Sequence, residues 1–219
     1  MPVPIIAIDG PSASGKGTIA KKLAKHFGFA HLDTGLLYRA VGVMALMEDK
    51  DPADPKAAEE AAKAFSHKNF EKLHSEPMLR TDKASLAASQ VAAVPGVRKA
   101  LLKFQQDFCA HPPDGMPGAV LDGRDIGTVI APQALVKIYI TASPEARAQR
   151  RFKELQKRGE NATYAAVLDD MKERDGRDEK RNIAPSKPAS DAVILDTTNM
   201  TADAAFAKAL KIAEEKLRR

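Results

Sequence analysis

The chain has 219 residues, of which 44% are hydrophobic and 29% are charged, and its formal net charge is +5. This composition predicts one α/β domain with enough apolar residues to build a buried core. No stretch approaches the roughly 20 apolar residues of a membrane span, and the N-terminus has no signal-peptide pattern, so we expect no membrane contact. The single cysteine, Cys109, excludes an internal disulfide, indicates a core thiol and favours a cytoplasmic location.

The basic balance suits either nucleic acid or small phosphorylated ligands. Aromatic residues make up only 5% of the chain and tryptophan is absent, so no stacking platform for single strands is evident. We therefore expect no nucleic-acid partner.

Residues 10–18 form a glycine-rich turn between the apolar run 5–8 and a helical pattern of Ile19, Leu23 and Phe27. The spacing of Gly10, Gly15 and Lys16 is that of a phosphate-binding loop, in which glycines let backbone amides converge on phosphate oxygens. The alternative is a turn that only links a strand to a helix. The predicted phosphate site consists of Gly10, Pro11, Ser12, Ala13, Ser14, Gly15, Lys16, Gly17 and Thr18.

One position departs from the usual loop pattern, which has Ser or Thr directly after the lysine. Gly17 stands there and Thr18 follows, so a hydroxyl still falls in the first helical turn. We expect this hydroxyl near the magnesium ion or the α-phosphate of a bound nucleotide.

Short apolar strands alternate with helices along the chain, which predicts a parallel sheet covered by helices on both faces. The predicted strands are 4–9, 29–32, 119–122, 136–141 and 192–196. Helices are predicted directly after the phosphate loop, from 34 to about 47 and from 57 to 65. Further helices are predicted from Pro95 onward, over 143–158 and 162–178, and from Thr201 onward. Residues 66–82 predict an irregular connection or a short hairpin.

Charged residues cluster where the predicted strands end, and ligands collect at that edge of a parallel sheet. Asp122 occupies the usual place of a carboxylate that orients magnesium, with Asp9 and Asp33 as alternatives. A strand-end aspartate can also simply cap the next turn. Arg39, Arg98 and Arg124 follow strand ends or helix starts, and together they suggest a second anionic site for an acceptor phosphate.

A row of charged side chains is predicted on the helix near residue 178. Arg174, Arg177, Asp178 and Arg181 are spaced so that a helix would place them on one face. This pattern fits either a salt-bridge network or a cationic lid that closes over a moving phosphoryl group.

Four stretches carry a family resemblance. They are Asp-Thr-Gly-Leu-Leu-Tyr-Arg at 33–39, Ser-Gln-Val-Ala-Ala at 89–93, Asp-Gly-Arg-Asp-Ile-Gly-Thr-Val at 122–129, and the segment 174–185 with its Arg-Asp-Gly-Arg-Asp start. In that order, and together with the loop variant Gly17-Thr18, they resemble bacterial cytidylate kinases over nearly the whole chain.

The resemblance implies a P-loop kinase three-layer α/β fold with a five-stranded parallel sheet. It further implies a core of about 1–48, 112–160 and 189–219, a nucleoside-monophosphate-binding region of about 49–111 and a helical lid of about 161–188. Many family members carry a stranded insert near 66–83, for which this chain is too short.

The resemblance also implies the roles of individual residues. Lys16 and the loop amides would hold the phosphates of ATP, with Arg147 near the adenine and with Thr18 and Asp122 near Mg²⁺, partly through water. Lys16, Arg124, Arg174 and Arg181 would be catalytic. The residues implied in binding CMP are Thr34, Arg39, Ser89, Arg98, Arg124, Asp125, Arg174, Asp178 and Arg181.

The implied activity is transfer of the γ-phosphoryl group of ATP to CMP or dCMP in pyrimidine metabolism, by a monomer. Three alternatives remain. A shikimate or gluconate kinase on the same scaffold fits the arginines less well, a regulatory nucleotide switch lacks an Asn-Lys-x-Asp motif, and a nucleic-acid binder would have to bind oligonucleotides at physiological salt.

Overall fold

The computed structural model describes residues 3–66, 70, 73 and 76–218. Part of the predicted irregular connection, residues 67–69, 71–72 and 74–75, lies outside the described residues. The chain divides into two compact units, which we call unit 1 (Met1–Leu32 and Phe108–Arg219) and unit 2 (Asp33–Asp107).

Five parallel strands form a sheet in the described part of the chain, in the order β2-β3-β1-β4-β5. Their bounds are β1 Ile5–Asp9, β2 Ala30–Asp33, β3 Ala119–Gly123, β4 Val136–Thr141 and β5 Val193–Asp196. Strand β1 is central, with Ile8 opposite Asp122 of β3 and Ile6 opposite Val136 of β4. The predicted five-stranded parallel sheet is therefore confirmed, with each strand within one residue of its predicted ends.

The described helices are α1 Lys16–Phe27, α2 Thr34–Met47, α3 Pro55–Ala64, α4 Asp82–Val91, α5 Pro95–Ala110, α6 Pro144–Lys157, α7 Tyr164–Lys180 and α8 Ala202–Leu217. Short 3₁₀ turns cover Pro77–Arg80 and Pro113–Gly115, and a π-helical turn covers Ile126–Ile130. Side-chain caps fix several helix starts; Ser143, for example, accepts from the Ala146 N–H at 3.2 Å before α6. In the part of the chain described here, every helix is too short or too polar to cross a bilayer.

The core of unit 1 lies between the sheet and the pair α1 and α8. Ile6, Ile8 and Ile138 on the strands are buried together with Leu23 of α1 and Ala209 of α8. Burying such side chains contributes about 1.5–3 kcal/mol each for the larger ones, before the entropy cost of folding. Cys109 is also buried, as predicted for a core thiol, and burial raises its pKa to about 11.

Unit 2 is built on a close contact between α2 and α4. A Cβ placed on Gly42 would lie 2.8 Å from the Ala87 Cβ, so only glycine lets the two helices approach this closely. The sequence does not predict helix α4 and shows Ser89 only in the stretch before Pro95. In the structure Ser89 lies inside α4. Helix α2 belongs to unit 2.

Candidate active site

The phosphate loop connects β1 to α1 in unit 1, with backbone angles that its glycines permit. Gly10 has a φ of 147°, and a Cβ there would lie 2.0 Å from the carbonyl oxygen of Ile140 on β4. Gly15 has a φ of 94° immediately before α1 begins. Ala13 also has a positive φ, 55°, which an L-residue seldom adopts. The loop therefore runs tightly over the end of β4 and opens into the N-terminus of α1, where anions bind well.

The side chain of Lys16 folds back over the loop that precedes it. Its Nζ donates to the carbonyl oxygen of Pro11 at 3.1 Å. This contact keeps the ammonium group at the loop, where a nucleotide's phosphates would need a positive charge.

A buried polar network supports the loop on the carbonyl side of Ser14. Thr197, which follows β5, has its Oγ1 3.1 Å from the Ser14 carbonyl oxygen and 3.0 Å from that of Thr141. Arg150 of α6 donates from Nη1 to the Ser14 carbonyl at 3.3 Å and to Thr197 Oγ1 at 3.1 Å. The sequence analysis missed both residues, because contacts this distant in sequence leave no local pattern.

Helix α7, the predicted lid, contacts the same loop through two arginines. Arg174 donates from Nη1 to Ser12 Oγ at 3.4 Å. Arg147 of α6 donates to the Ser12 carbonyl oxygen at 3.3 Å and to Asp175 of α7 at 2.6 Å. Its side chain is only 4% exposed. Arg147 therefore ties α7 to the loop; its implied place near adenine stays a prediction.

The three predicted catalytic arginines all act electrostatically on one carboxylate, Asp178. Arg124 donates from Nε to Oδ2 of Asp178 at 3.0 Å, and both side chains are largely buried. Burial alone would raise the pKa of Asp178, but the charges of Arg124, Arg174 and Arg181 hold it below its ordinary value. Arg124, Arg174 and Arg181 are thus brought together around Asp178.

The predicted one-face helical row is wrong in part. Helix α7 ends at Lys180, and Arg181 has extended backbone angles (φ −62°, ψ 141°), so it does not occupy the next helical position. Its Nε donates to the carbonyl oxygen of Ala184 at 2.6 Å. Arg177 pairs with Glu173 on α7. The cluster around Asp178 therefore depends on a helix end rather than on helical spacing.

The carboxylates at the strand ends have different surroundings. Asp122 is buried, with Oδ1 2.8 Å from Nε2 of His31 on the neighbouring strand β2. A Cβ on Gly17 would lie 3.5 Å from its Oδ2. Asp9 instead accepts from the backbone amides of Ile126 and Gly127, both at 2.8 Å, and holds the π-helical turn. Burial raises the pKa of Asp9 to about 6.

Asp122 supplies a carboxylate near the phosphate loop that suits a magnesium ion. Thr18 is exposed in the first turn of α1, next to Gly17, which Asp122 approaches. Among the residues described, no group of three or more His, Cys, Asp or Glu side chains could hold a metal ion. Mg²⁺ in kinases is held by one or two carboxylates together with substrate phosphates, so this donor set fits an ion that arrives with a nucleotide. Asp33, the other alternative, lies at the N-cap of α2.

Asp125 follows Arg124 directly and is buried. Its carbonyl oxygen accepts from the Val129 amide at 2.9 Å and from the Ile130 amide at 3.2 Å. The π-helical turn thereby fixes the backbone of Asp125. The sequence analysis did not predict this turn.

Unit 2 holds the other predicted CMP-binding residues. Arg39 donates to the Leu79 carbonyl oxygen at 2.6 Å and to Ser85 Oγ at 3.2 Å. Arg98 is buried, donates to the Ala92 carbonyl oxygen at 3.3 Å and lies 5.5 Å from the ring centre of Tyr38. This cation–π contact identifies Tyr38 as a support for Arg98 that the sequence analysis missed. Thr34 is buried at the start of α2, and Ser89 is buried on α4.

Comparisons with known proteins agree on one family. Residues 6–215 match the family model described as cytidylate kinase. A cytidylate kinase of Paramagnetospirillum magneticum is 56% identical over 97% of this chain and 98% of its own length. One from Rhodospirillum rubrum is 54% identical with the same coverage, and one from Caulobacter sp. is 53% identical over 96% of this chain and 94% of its own length.

A solved structure supports the fold. An uncharacterized protein from Eubacterium ventriosum superposes with a TM-score of 0.53 at 16% identity, covering 97% of this chain and 99% of its own. Residues 6–215 match the family model, and the relatives named above are more than 50% identical to this chain. The chain belongs to the cytidylate kinase family.

Proposed function

We propose that this protein is an ATP-dependent CMP and dCMP kinase, which forms CDP or dCDP and ADP. The observation that carries the proposal is the position of Arg174, which donates to Ser12 of the phosphate loop and also acts on Asp178, the partner of Arg124. A cation at this position can stabilise the phosphoryl group during its transfer, because that group carries negative charge from ATP to the acceptor phosphate. The relatives' name, cytidylate kinase, supplies the substrate class.

We expect catalysis to consist of aligning the two substrates and neutralising the charge of their phosphates. The CMP phosphate already presents an anionic oxygen, so no strong general base is needed. As that oxygen bonds to the γ-phosphorus of ATP, the bond to the bridging oxygen breaks and its electron pair stays on ADP. We assign Lys16 and the loop amides to the ATP phosphates, and Arg174 and Arg181 to the charge of the moving group.

We assign the acceptor phosphate to Arg39 and Arg124, as the family resemblance implies. Both guanidinium groups are supported by neighbouring oxygen atoms, Arg39 by Leu79 and Arg124 by Gly123 and Asp178. A supported guanidinium loses less side-chain freedom when it binds an anion. Ser89 and Asp178 are assigned to the sugar hydroxyls.

We assign base recognition to Thr34, Arg98, Asp125 and Arg181. A buried carboxylate such as Asp125 can accept from the amino group of cytosine, whereas uracil presents an oxygen acceptor at the same position. An arginine donor at O2 or N3 would complete the pattern. CMP is therefore expected to react much better than UMP.

We assign a magnesium ion to the phosphoryl transfer from ATP to CMP. Thr18 and Asp122 would hold the ion, partly through water, and bound there it would neutralise charge on the ATP phosphates. Both substrates are small molecules, so no nucleic acid or membrane is needed for this reaction.

The proposal is tested by a coupled assay of ADP release from MgATP. CMP, dCMP, UMP, AMP, shikimate and gluconate are supplied in turn at equal concentration. Stimulation by CMP and dCMP well above the others is expected. Equal rates with CMP, UMP and AMP would remove the base-recognition assignment, and stimulation by shikimate or gluconate alone would replace the function with a sugar or small-acid kinase.

A further inference from the structure

His31 has no role in the function proposed above, yet it contacts Asp122, whose carboxylate lies near Gly17. Its Nε2 lies 2.8 Å from Asp122 Oδ1, and the two residues are on neighbouring strands. The Asp122 side chain is 4% exposed and that of His31 is 19% exposed. The tautomer of His31 with its proton on Nε2 donates to this oxygen, since an ionised carboxylate only accepts hydrogen bonds.

The second oxygen of Asp122 is directed toward α1. A Cβ on Gly17 would lie 3.5 Å from Oδ2, and Gly17 stands between Lys16 and Thr18 in the first turn of that helix. The terminal torsion of an aspartate is broad, so the hydrogen bonds of its two oxygens decide how the carboxylate is oriented. With Oδ1 bonded to His31 on the β2 side, Oδ2 lies toward Gly17.

We propose that His31 is a positioning residue for MgATP binding, which acts by fixing the orientation of the Asp122 carboxylate. The inference rests on the proposed function, which assigns Asp122 to the magnesium of MgATP. His31 acts only through Asp122, as outer-shell histidines and carboxylates do at metal sites, where loss of such a partner typically costs about 10- to 100-fold in metal affinity or activity.

A purely structural role for the same bond would give different results. A hydrogen bond that only joins β2 to β3 would add stability, and its loss would affect ATP and MgATP equally. A bond that orients Asp122 toward the ion affects MgATP alone. The affinity ratio between the two forms of the nucleotide therefore separates the two roles.

The test is titration calorimetry of the full chain with ATP in excess EDTA and with MgATP, both without CMP. His31→Leu removes the donor, and His31→Gln keeps an amide N–H at a similar reach. His111→Leu, at an exposed histidine, is the matched control. We expect His31→Leu to weaken MgATP binding by about tenfold while ATP in EDTA binds as in the wild-type chain. His31→Gln should restore most of the lost affinity, and His111→Leu should change neither value.

Asp122→Asn completes a double-mutant cycle. If His31 acts only through Asp122, adding His31→Leu to Asp122→Asn should cause no further loss of MgATP affinity. Equal weakening of ATP and MgATP binding by His31→Leu, or a full further loss in the Asp122→Asn background, would overturn the proposal.

Thermal melts verify that each variant is folded. If His31→Leu does not fold, His31→Asn, whose amide is too short to reach Asp122 in the same way, replaces it with the same expected result. Failure of the proposed function would appear separately, as a wild-type chain that binds MgATP but does not phosphorylate CMP.

Discussion

Arg124 donates from Nε to Oδ2 of Asp178 across 3.0 Å, and this ion pair joins the end of β3 to helix α7. Both side chains are largely buried, so each compensates the charge of the other. Arg174 and Arg181 also act on Asp178 and, with Arg124, hold its pKa below the ordinary value. An anion that binds at Arg124 therefore meets a guanidinium group that is already paired with the Asp178 carboxylate.

Replacing Arg124 by alanine should raise the KM for CMP by about ten- to hundredfold, the range expected for loss of one or two hydrogen bonds between charged groups. The KM for ATP should change far less, because the phosphate loop is intact. Steady-state kinetics with each substrate varied in turn measure both constants, with Arg218→Ala at the exposed C-terminal end of the chain as the control. A larger effect on ATP than on CMP would exchange the two assigned sites.

Lys16→Ala should reduce kcat by at least about 100-fold, because a charge aimed at the phosphates is lost from the site of transfer. The fold should be retained, since the Lys16 side chain is only partly buried. Single-turnover rates and circular dichroism measure the two properties. Lys21→Ala, at an exposed position on the same helix, should behave like the wild-type chain. Near-normal turnover in Lys16→Ala would contradict the role of the loop.

Asp125→Ala should lower the preference for CMP over UMP, because the acceptor for the cytosine amino group is removed. The quantity to compare is the ratio of kcat/KM for the two nucleotides. A tenfold fall in that ratio corresponds to about 1.4 kcal/mol of discrimination, within the usual range for one base contact. Asp107→Ala on the exposed face of α5 is the control. An unchanged ratio in Asp125→Ala would assign base recognition elsewhere.

Thr197→Val should weaken ATP binding without changing the volume of the side chain much. Valine cannot bond to the Ser14 carbonyl oxygen, so that carbonyl keeps its hydrogen bond from Arg150 but loses the one from Thr197, and Arg150 loses an acceptor. We expect the KM for ATP to rise several-fold and the free energy of unfolding to fall by about 1–3 kcal/mol. Thr197→Ser keeps the hydroxyl and should retain both values; if it fails as badly as Thr197→Val, the hydroxyl is not the cause.

Asp9 predicts a pH dependence of stability. Burial raises its pKa from 3.8 to about 6, so the folded state holds this proton more tightly than the unfolded chain does. The contribution of Asp9 is therefore fully present below pH 3.8 and is lost as the pH rises through about 6. The loss amounts to about 3 kcal/mol at most.

Asp9→Asn removes this titration and keeps an acceptor for one of the two backbone amides, a loss that does not vary with pH. Urea unfolding from pH 4 to pH 7.5 should show the wild-type advantage over Asp9→Asn to be largest near pH 4 and to shrink toward pH 7. The other titrating groups are common to both proteins and cancel in the difference. A difference that is constant with pH would contradict the raised pKa.

The strands and the phosphate loop could be predicted because their signals are local. Short apolar runs end at a glycine-rich turn, and the spacing of Gly10, Gly15 and Lys16 requires a particular backbone path. Helix α4 could not be predicted in this way. Half of its residues 82–91 are alanine or serine, so its buried face of Ala84, Ala87, Ala88 and Val91 gives only a weak apolar signal, and Ala87 packs closely against Gly42 of α2.

The supporting residues of the site have long-range partners. His31 meets Asp122, and Thr197 meets Ser14, across more than ninety positions of the chain in each case. Such contacts depend on the order of the strands in the sheet, and a local sequence pattern does not determine that order. Arg181 shows the opposite error: helical spacing predicted its place, but it follows the last residue of α7. Helical spacing therefore does not fix the position of a residue at a helix end.

In the proposed reaction the γ-phosphoryl group of ATP passes to the phosphate of CMP. Incubation of the purified chain with magnesium, CMP and ATP labelled with ³²P in the γ-position, followed by separation of the nucleotides, tests this transfer directly. We expect label in CDP, with much less in UDP when UMP replaces CMP. Label recovered only as inorganic phosphate, or equally in CDP and UDP, would contradict it.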